Sequence, residues 1–173
     1  MITTLAKEEF DAVYGIMEES FPSDEYRPYE EQLALLEHDA YRIYVLRDDG
    51  QSRIQAFLAV WEFADFAFIE HLAVAPACRN GGIGAQLLQH LTGRLKQPVC
   101  LEVEPPETEL AARRIGFYRR NGFYLNPYPY QQPAISRGKH AIPLQIMTSG
   151  APVSEETFRQ IRTKLYREVY RVS

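Results

Sequence analysis

Cysteine is scarce in this sequence, which has only Cys78 and Cys100 among 173 residues. Two thiols are too few for a disulfide scaffold or a cysteine-based zinc site, so we expect reduced thiols and no metal. Long apolar runs are also missing, since none reaches the roughly 18 residues of a membrane span. The N-terminal stretch Met1–Glu9 turns acidic where a secretory signal is apolar. These features favour a cytoplasmic protein that does not bind a membrane.

An excess of positive charge is absent as well. The chain has 19 Lys and Arg against 23 Asp and Glu, a formal net charge of -4, which argues against a nucleic-acid partner. Apolar residues make up 46% of the chain and charged residues 24%, as in ordinary globular proteins. The length predicts one main domain. We expect it at residues 1–150, with 151–173 as a C-terminal helix packed on that domain or at a subunit interface.

The hydrophobic periodicity predicts an α/β chain. Helical spacing predicts helices at Lys7–Phe21, Tyr29–Glu37, Ile83–Leu95, Glu107–Asn121 and Ser154–Val172. Alternating or wholly apolar runs predict strands at Tyr41–Arg47, Arg53–Glu62, Phe66–Val74, Val99–Val103, Phe123–Leu125 and Ala141–Thr148. The turn Asp48–Gln51 closes a hairpin, and the Pro- and Tyr-rich stretch Asn126–Lys139 is expected to be irregular. The order strand, helix, strand over residues 66–103 predicts a right-handed βαβ unit.

The most informative segment lies where a strand ends and a helix begins, and it reads Arg79-Asn80-Gly81-Gly82-Ile83-Gly84-Ala85. Its glycines allow backbone amides to approach a ligand closely, and a helix N-terminus offers unpaired N–H groups and positive partial charge, which favours an anion. Leu87 stands where a dinucleotide-binding fingerprint needs glycine, and no Gly-Lys-Ser/Thr is present. Taken alone, the glycines are equally compatible with a turn that only allows tight packing.

Two longer motifs resemble the GNAT N-acetyltransferase superfamily. The run Ile69–Leu88 is similar to its acetyl-CoA motif, Arg/Gln-x-x-Gly-x-Gly/Ala after a strand that ends in an apolar-x-Val-x-Pro stretch. The run Ala111–Phe123 contains Phe117-Tyr118-x-x-x-Gly122-Phe123 and resembles the superfamily's second signature. The resemblance covers residues 66–125. It implies a mixed, mainly antiparallel central sheet with helices on both faces, and acetyl transfer from acetyl-CoA.

The resemblance also implies where acetyl-CoA binds. In the superfamily, the matching positions of the glycine turn hold the CoA pyrophosphate, and here these are Arg79, Asn80, Gly81, Gly82, Ile83, Gly84 and Ala85. The matching strand positions, Leu72, Ala73 and Val74, pair with the pantetheine arm and direct an amide at the thioester carbonyl. The tyrosine that matches Tyr118 contacts CoA and protonates the leaving thiolate. Without the motif, Tyr118 would be interpreted as a core residue.

The reaction also needs a proton acceptor, because a lysine-type amine with a pKa near 10.4 is less than about 0.1% deprotonated at pH 7. Two carboxylates are candidates for the general base. Glu70 lies on the strand that enters the glycine turn, and Glu102 lies within an apolar strand, where a buried charge needs a partner. Glu102 resembles the strand glutamate that acts through water in bacterial ribosomal-protein N-terminal acetyltransferases. The sequence leaves the choice between them open.

The loop Phe21–Pro28 occupies the place where superfamily members build part of the acceptor pocket. Its candidate substrate-binding residues are Glu25, Tyr26 and Arg27, and a solvated turn between prolines is an equal alternative. We expect an acetyl-CoA-dependent N-acetyltransferase that modifies a small-molecule amine and is a monomer or homodimer. The alternatives are an enzyme that modifies a protein amino group and a non-catalytic CoA-binding module.

Overall fold

The computed structural model describes residues 1–50 and 52–172. Gln51, the last residue of the predicted hairpin turn, and Ser173 lie outside this part of the chain. The chain forms two compact units, Met1–Val99 and a second that begins at Cys100. The predicted boundary at residue 150 stays a prediction.

The first unit contains an antiparallel sheet in the order β1-β2-β3-β4. Its strands are β1 (Ile2–Thr4), β2 (Tyr41–Arg47), β3 (Ile54–Glu62) and β4 (Ala67–Val74). The sequence of β3 is almost continuously apolar, and Phe57, Leu58 and Trp61 are fully buried. Such a run is typical of a strand that is covered on both faces.

Three helices belong to the first unit: α1 (Phe10–Ser20), α2 (Tyr29–Ala34) and α3 (Ile83–Arg94). Helix α1 buries Phe10, Val13 and Met17, which recur at helical spacing. Helix α3 buries Leu87, Leu88 and Leu91 in the same way. Both helices pack on β3 and β4. The strand and the helix that flank the turn between β4 and α3 are therefore both held by packing.

The second unit contains an antiparallel sheet in the order β5-β7-β6. Its strands are β5 (Val99–Val103, whose first residue ends the first unit), β6 (Phe123–Gln132) and β7 (Ile142–Ser149). Helix α4 (Glu109–Arg120) begins where Thr108 Oγ1 accepts a hydrogen bond from Ala111 N at 3.0 Å. Helix α5 (Glu155–Lys164) continues into a π-helical turn, Leu165–Val169.

The predicted elements are confirmed with three corrections. The short strand β1 was not predicted, and the last helix changes to a π-helical turn after Lys164. The stretch expected to be irregular from Asn126 forms most of β6. Pro127 and Pro129 fit this strand because β6 is at the edge of its sheet and its register with β7 shifts between Asn126 and Tyr130. Among the residues described, no helix has the length and apolar character needed to cross a membrane.

Candidate active site

The turn between β4 and α3 has two residues with positive φ angles. These are Asn80 at 69° and Gly82 at 75°. Glycine adopts this left-handed conformation without the steric penalty of a Cβ, and asparagine tolerates it better than most residues. Gly82 directly precedes α3, and its carbonyl accepts the first helical hydrogen bond, from Gln86 N at 3.0 Å. The turn therefore leads directly into the N-terminus of α3.

The first amides of α3 are available to a ligand. Because the helical ladder begins at Gln86, the N–H groups of Ile83, Gly84 and Ala85 precede it. Within residues 1–50 and 52–172, no acceptor engages these three amides. A Cβ placed on Gly82 would meet no atom within 4 Å, so open space adjoins the turn. The turn therefore fits a diphosphate, whose charge matches the positive end of the helix.

The predicted residues that flank the turn lie close to it in the same unit. Arg79 donates from Nε to the Val74 carbonyl at 3.1 Å and from Nη2 to Ser20 Oγ at 3.3 Å. Its exposed side chain thus lies across the end of β4. Leu72 and Ala73 pair with β3 along one edge of β4.

A β-bulge interrupts β4 at Glu70. Val60 pairs with Ile69 and Ala59 pairs with His71, so Glu70 is the extra residue on β4. The bulge is a local change of register that the alternation of the sequence does not reveal.

The Glu70 carboxylate is buried and has a cationic partner. Its side chain is 2% exposed, and Oε2 accepts a hydrogen bond from Arg27 Nη1 at 2.6 Å. Its Oε1 accepts from Trp61 Nε1 at 2.7 Å. Burial raises the pKa of Glu70, but the Arg27 guanidinium, His71 and the Trp61 hydrogen bond together outweigh this effect, so the pKa lies below its ordinary value. Glu70 is consequently held as an ionised carboxylate with both oxygens engaged.

The loop predicted to form the acceptor pocket is tied to the rest of its unit. Besides pairing with Glu70, Arg27 donates from its backbone N to Gln32 Oε1 at 3.1 Å and accepts from Tyr14 OH at 2.9 Å. The Tyr26 ring packs edge-on against the Tyr14 ring, with centroids 5.9 Å apart. Arg27 is only 5% exposed, so its contacts are with the protein interior.

His71 joins this region although no sequence motif assigns it a function. Its Nε2 lies 2.7 Å from the Glu25 carbonyl, and its ring packs against Phe21. Its Nδ1 is buried and has no hydrogen-bond partner among the described residues. Burial lowers the pKa of His71 below its ordinary value, against the opposing effect of Glu70. A neutral imidazole therefore fixes the backbone of the loop at Glu25.

In the second unit, Glu102 on β5 is held by two tyrosines that were not predicted as site residues. Tyr130 OH donates to Glu102 Oε2, and Tyr170 OH donates to Glu102 Oε1 at 2.6 Å. Tyr130 lies on β6 and Tyr170 follows the π-helical turn. Their spacing from Glu102 along the chain carries no periodic signal, so the cluster becomes visible only in the fold.

Tyr118 lies on α4 and is 8% exposed. Its ring packs edge-on against Phe117 and Phe123. Its hydroxyl makes no hydrogen bond within the described part of the chain. Burial raises the pKa of Tyr118 to about 12, while Arg114 lowers it. The hydroxyl therefore keeps its proton at neutral pH and can donate it.

The fold is that of acetyltransferases in solved structures. A GNAT-family acetyltransferase from Bacteroides thetaiotaomicron matches with a TM-score of 0.88 and 35% identity, covering 100% of this chain and 99% of that one. The ribosomal-protein-S18-alanine N-acetyltransferase from Escherichia coli matches with a TM-score of 0.66 and 23% identity, covering 90% and 96%. A phosphinothricin acetyltransferase from Sinorhizobium meliloti, in complex with AcCoA, matches with a TM-score of 0.63 and 17% identity, covering 90% and 89%. No curated protein matches significantly.

The family model described as an acetyltransferase (GNAT) domain matches residues 39–125. Together with the 35% identity over the whole chain, this match shows that the chain belongs to the GNAT acetyltransferase family. The predicted α/β fold class and the predicted enzyme class, an N-acetyltransferase, are confirmed. The matched residues include the glycine turn, Glu70, Glu102 and Tyr118.

Proposed function

We propose that this protein transfers the acetyl group of acetyl-CoA to the primary amine of a small molecule, by direct attack of the amine on the thioester. The amides of Ile83, Gly84 and Ala85 carry this proposal, because no acceptor among the described residues engages them and open space adjoins Gly82. These donors suit the pyrophosphate of CoA. Arg79, Asn80 and Gly81 would complete this end of the site, and Leu72, Ala73 and Val74 would bind the pantetheine arm.

When bound, acetyl-CoA supplies a thioester whose carbonyl carbon accepts the amine. The contribution of the chain is to hold the two reactants in line and to move protons. An amide of β4 would donate to the carbonyl oxygen as negative charge develops on it. Tyr118 would protonate the departing sulfur, a role supported by its protonated hydroxyl, which has no hydrogen-bond partner in the described part of the chain.

Of the two candidate bases, we assign the proton-accepting role to Glu102. Glu70 is less suited because it forms a buried ion pair with the Arg27 guanidinium, and protonation of Glu70 would break that pair. A buried cation left without its counter-charge is costly. Glu102 accepts hydrogen bonds from neutral hydroxyl groups and would act through a water molecule. We assign Glu70 the role of fixing the loop that carries Arg27.

A small-molecule acceptor is supported by the loop Phe21–Pro28. Buried contacts through Arg27 and through the Glu25 carbonyl tie this loop down, which suits a pocket of fixed shape. Glu25 and Tyr26 would line that pocket. A protein amino group is the second acceptor class, because one solved structure of this fold is a ribosomal-protein-S18-alanine N-acetyltransferase. Location in the cytoplasm and the monomeric or homodimeric state stay predictions.

A free-thiol assay tests the proposed function. The purified protein is incubated with acetyl-CoA and a panel of polyamines, aminoglycosides, amino acids and short peptides with a free N-terminus. We expect thiol release above the amine-free background with at least one small amine. Thiol release with peptides alone would indicate that the acceptor is a protein amino group. Binding of CoA without release from any amine would favour a binding module, and absence of both would refute the proposal.

A further inference from the structure

Both oxygens of the Glu102 carboxylate accept hydrogen bonds from tyrosine hydroxyls. Tyr130 OH donates to Oε2 and Tyr170 OH donates to Oε1 at 2.6 Å. Tyr130 and Tyr170 are 7% and 6% exposed. Two buried donors from different elements restrict rotation of the carboxylate about its last bond, which a single donor would permit.

Each of these two tyrosines follows an irregular segment of backbone. Tyr130 follows the register shift in β6 after Asn126. Tyr170 follows the π-helical turn, in which its own N–H donates to the Leu165 carbonyl at 3.0 Å. The wider turn places Tyr170 on the same buried side as Leu165. Bulges and π-helical turns occur often at functional sites, where they redirect a side chain.

The surroundings keep the Tyr130 hydroxyl protonated. Burial and the Glu102 carboxylate raise the pKa of Tyr130 well above its ordinary value. The titratable groups that act on Tyr130 include Glu102, Tyr166 and Cys100, and Arg162 acts on Tyr166. Tyr166 donates its hydroxyl to the Gln131 carbonyl at 2.5 Å. Tyr130 therefore stays a hydrogen-bond donor over the pH range in which a carboxylate titrates.

We propose that Tyr130 and Tyr170 are positioning residues for Glu102, which hold its carboxylate in one orientation and favour its ionised form. The proposal rests on the assignment of Glu102 as the general base. It also gives the C-terminal segment a part in catalysis, because Tyr170 supplies one of the two donors. A carboxylate that is fixed in direction presents the same oxygen to a water molecule in every turnover.

The test compares the single variants Tyr130→Phe and Tyr170→Phe with Tyr128→Phe and Tyr166→Phe. Tyr128 shares β6 with Tyr130, and Tyr166 lies in the π-helical turn that precedes Tyr170. The hydroxyls of these two controls donate to the carbonyls of Val153 and Gln131. A hydrogen bond to a charged group is worth about 1.5–3 kcal/mol, and one pH unit equals 1.36 kcal/mol. We therefore expect the acidic limb of the pH profile of kcat/KM to move up by about one to two pH units in Tyr130→Phe and Tyr170→Phe. This limb should not move in Tyr128→Phe and Tyr166→Phe.

A direct titration separates this proposal from the proposed function. The protein is labelled with ¹³C at the glutamate carboxyl carbons, and the spectrum of Glu102→Gln identifies the signal of Glu102. The midpoint of that signal should rise in Tyr130→Phe and Tyr170→Phe even if no amine is acetylated. An unmoved midpoint in both variants would overturn the positioning role, whatever happens to activity. If Glu102→Gln retains full kcat/KM, the assignment of the base is wrong, while the titration still tests the hydrogen bonds.

Discussion

Gly82 has a φ of 75°, a conformation that costs an ordinary L-residue roughly 1–2 kcal/mol. A side chain at this position would also extend into the open space beside the turn. The same residue therefore sets both the backbone path and the room for a ligand. The role proposed for Tyr118, in contrast, depends on one atom, its hydroxyl, which makes no hydrogen bond among residues 1–50 and 52–172.

Replacing Gly82 by alanine should weaken CoA binding by about tenfold or more, because the strained turn misdirects the amides that follow it. The matched control is Gly93→Ala, which lies near the end of α3 with nothing within 4 Å of an added Cβ. That change should stabilise the helix by up to about 1 kcal/mol and leave CoA affinity unchanged. Calorimetric titration with CoA and urea unfolding measure the two effects. Equal CoA affinities for the two variants would contradict the assignment of the turn.

Replacing Tyr118 by phenylalanine should lower kcat by about 10²-fold or more, the usual contribution of a positioned proton donor. CoA affinity and the free energy of unfolding should change little, because the hydroxyl makes no hydrogen bond within the described residues. Steady-state kinetics and urea unfolding give these values. Unchanged kcat would remove Tyr118 from the mechanism.

At the scale of elements, the Arg27–Glu70 pair joins the loop after α1 to the bulge of β4 through charges that are 6% and 2% exposed. Breaking a buried pair leaves an uncompensated charge in the interior, which is costly, whereas replacing both partners by apolar groups is often tolerated. Breaking the exposed pair Arg113–Glu109 on α4 leaves no charge buried, so it should change stability little.

Arg27→Met should therefore lower the free energy of unfolding by about 3–5 kcal/mol. The double variant Arg27→Met/Glu70→Leu should recover part of this loss, because no charge is then left unpaired. Arg113→Ala on the surface should change stability by less than about 0.5 kcal/mol. Urea denaturation of the wild type and the three variants measures these free energies of unfolding. If the double variant were less stable than Arg27→Met, the expectation would be wrong, and the pair would contribute more to stability than the neutralisation of two buried charges.

The sequence predicted most elements because their periodicity is regular. The strands Tyr41–Arg47 and Val99–Val103 were predicted at their observed bounds. The strand β6 was missed beyond Leu125 because two prolines normally argue against pairing, and only its edge position makes them tolerable.

The candidate site was predictable where a local motif defines it. The glycine turn and Tyr118 lie within contiguous signatures, so their neighbours along the chain identify them. The partners of Glu70 and Glu102 come from distant segments, and no short-range pattern marks them. The pairing of Arg27 with Glu70 depends on a loop more than 40 residues earlier in the chain, which only tertiary structure brings to β4.

At the scale of the whole molecule, two buried groups make folding sensitive to acid. Burial lowers the pKa of His71, and the Arg27 guanidinium, against burial, lowers that of Glu70. In both cases the unfolded chain binds more protons than the folded chain at acidic pH. The stability that they contribute is thus present above their ordinary pKa values, 6.5 and 4.5. It is lost as the pH falls below those values.

We therefore expect the free energy of unfolding to decline in two stages, first below about pH 6.5 and again below about pH 4.5. His71→Gln retains an N–H donor for the Glu25 carbonyl but does not titrate, so the first stage should be weaker in this variant. His90→Gln, at an exposed position of α3, is the control and should behave as the wild type. Urea unfolding at a series of pH values tests this. An unchanged first stage in His71→Gln would assign it to another group.

The proposed function depends most on the backbone amides at the start of α3, which we propose bind the diphosphate of acetyl-CoA. An ¹⁵N-resolved NMR titration of the protein with CoA observes those amides directly. We expect the largest shifts at Gly82, Ile83, Gly84 and Ala85, saturating with a single dissociation constant. Saturable binding that leaves these four amides unmoved, or no binding at all, would contradict the account.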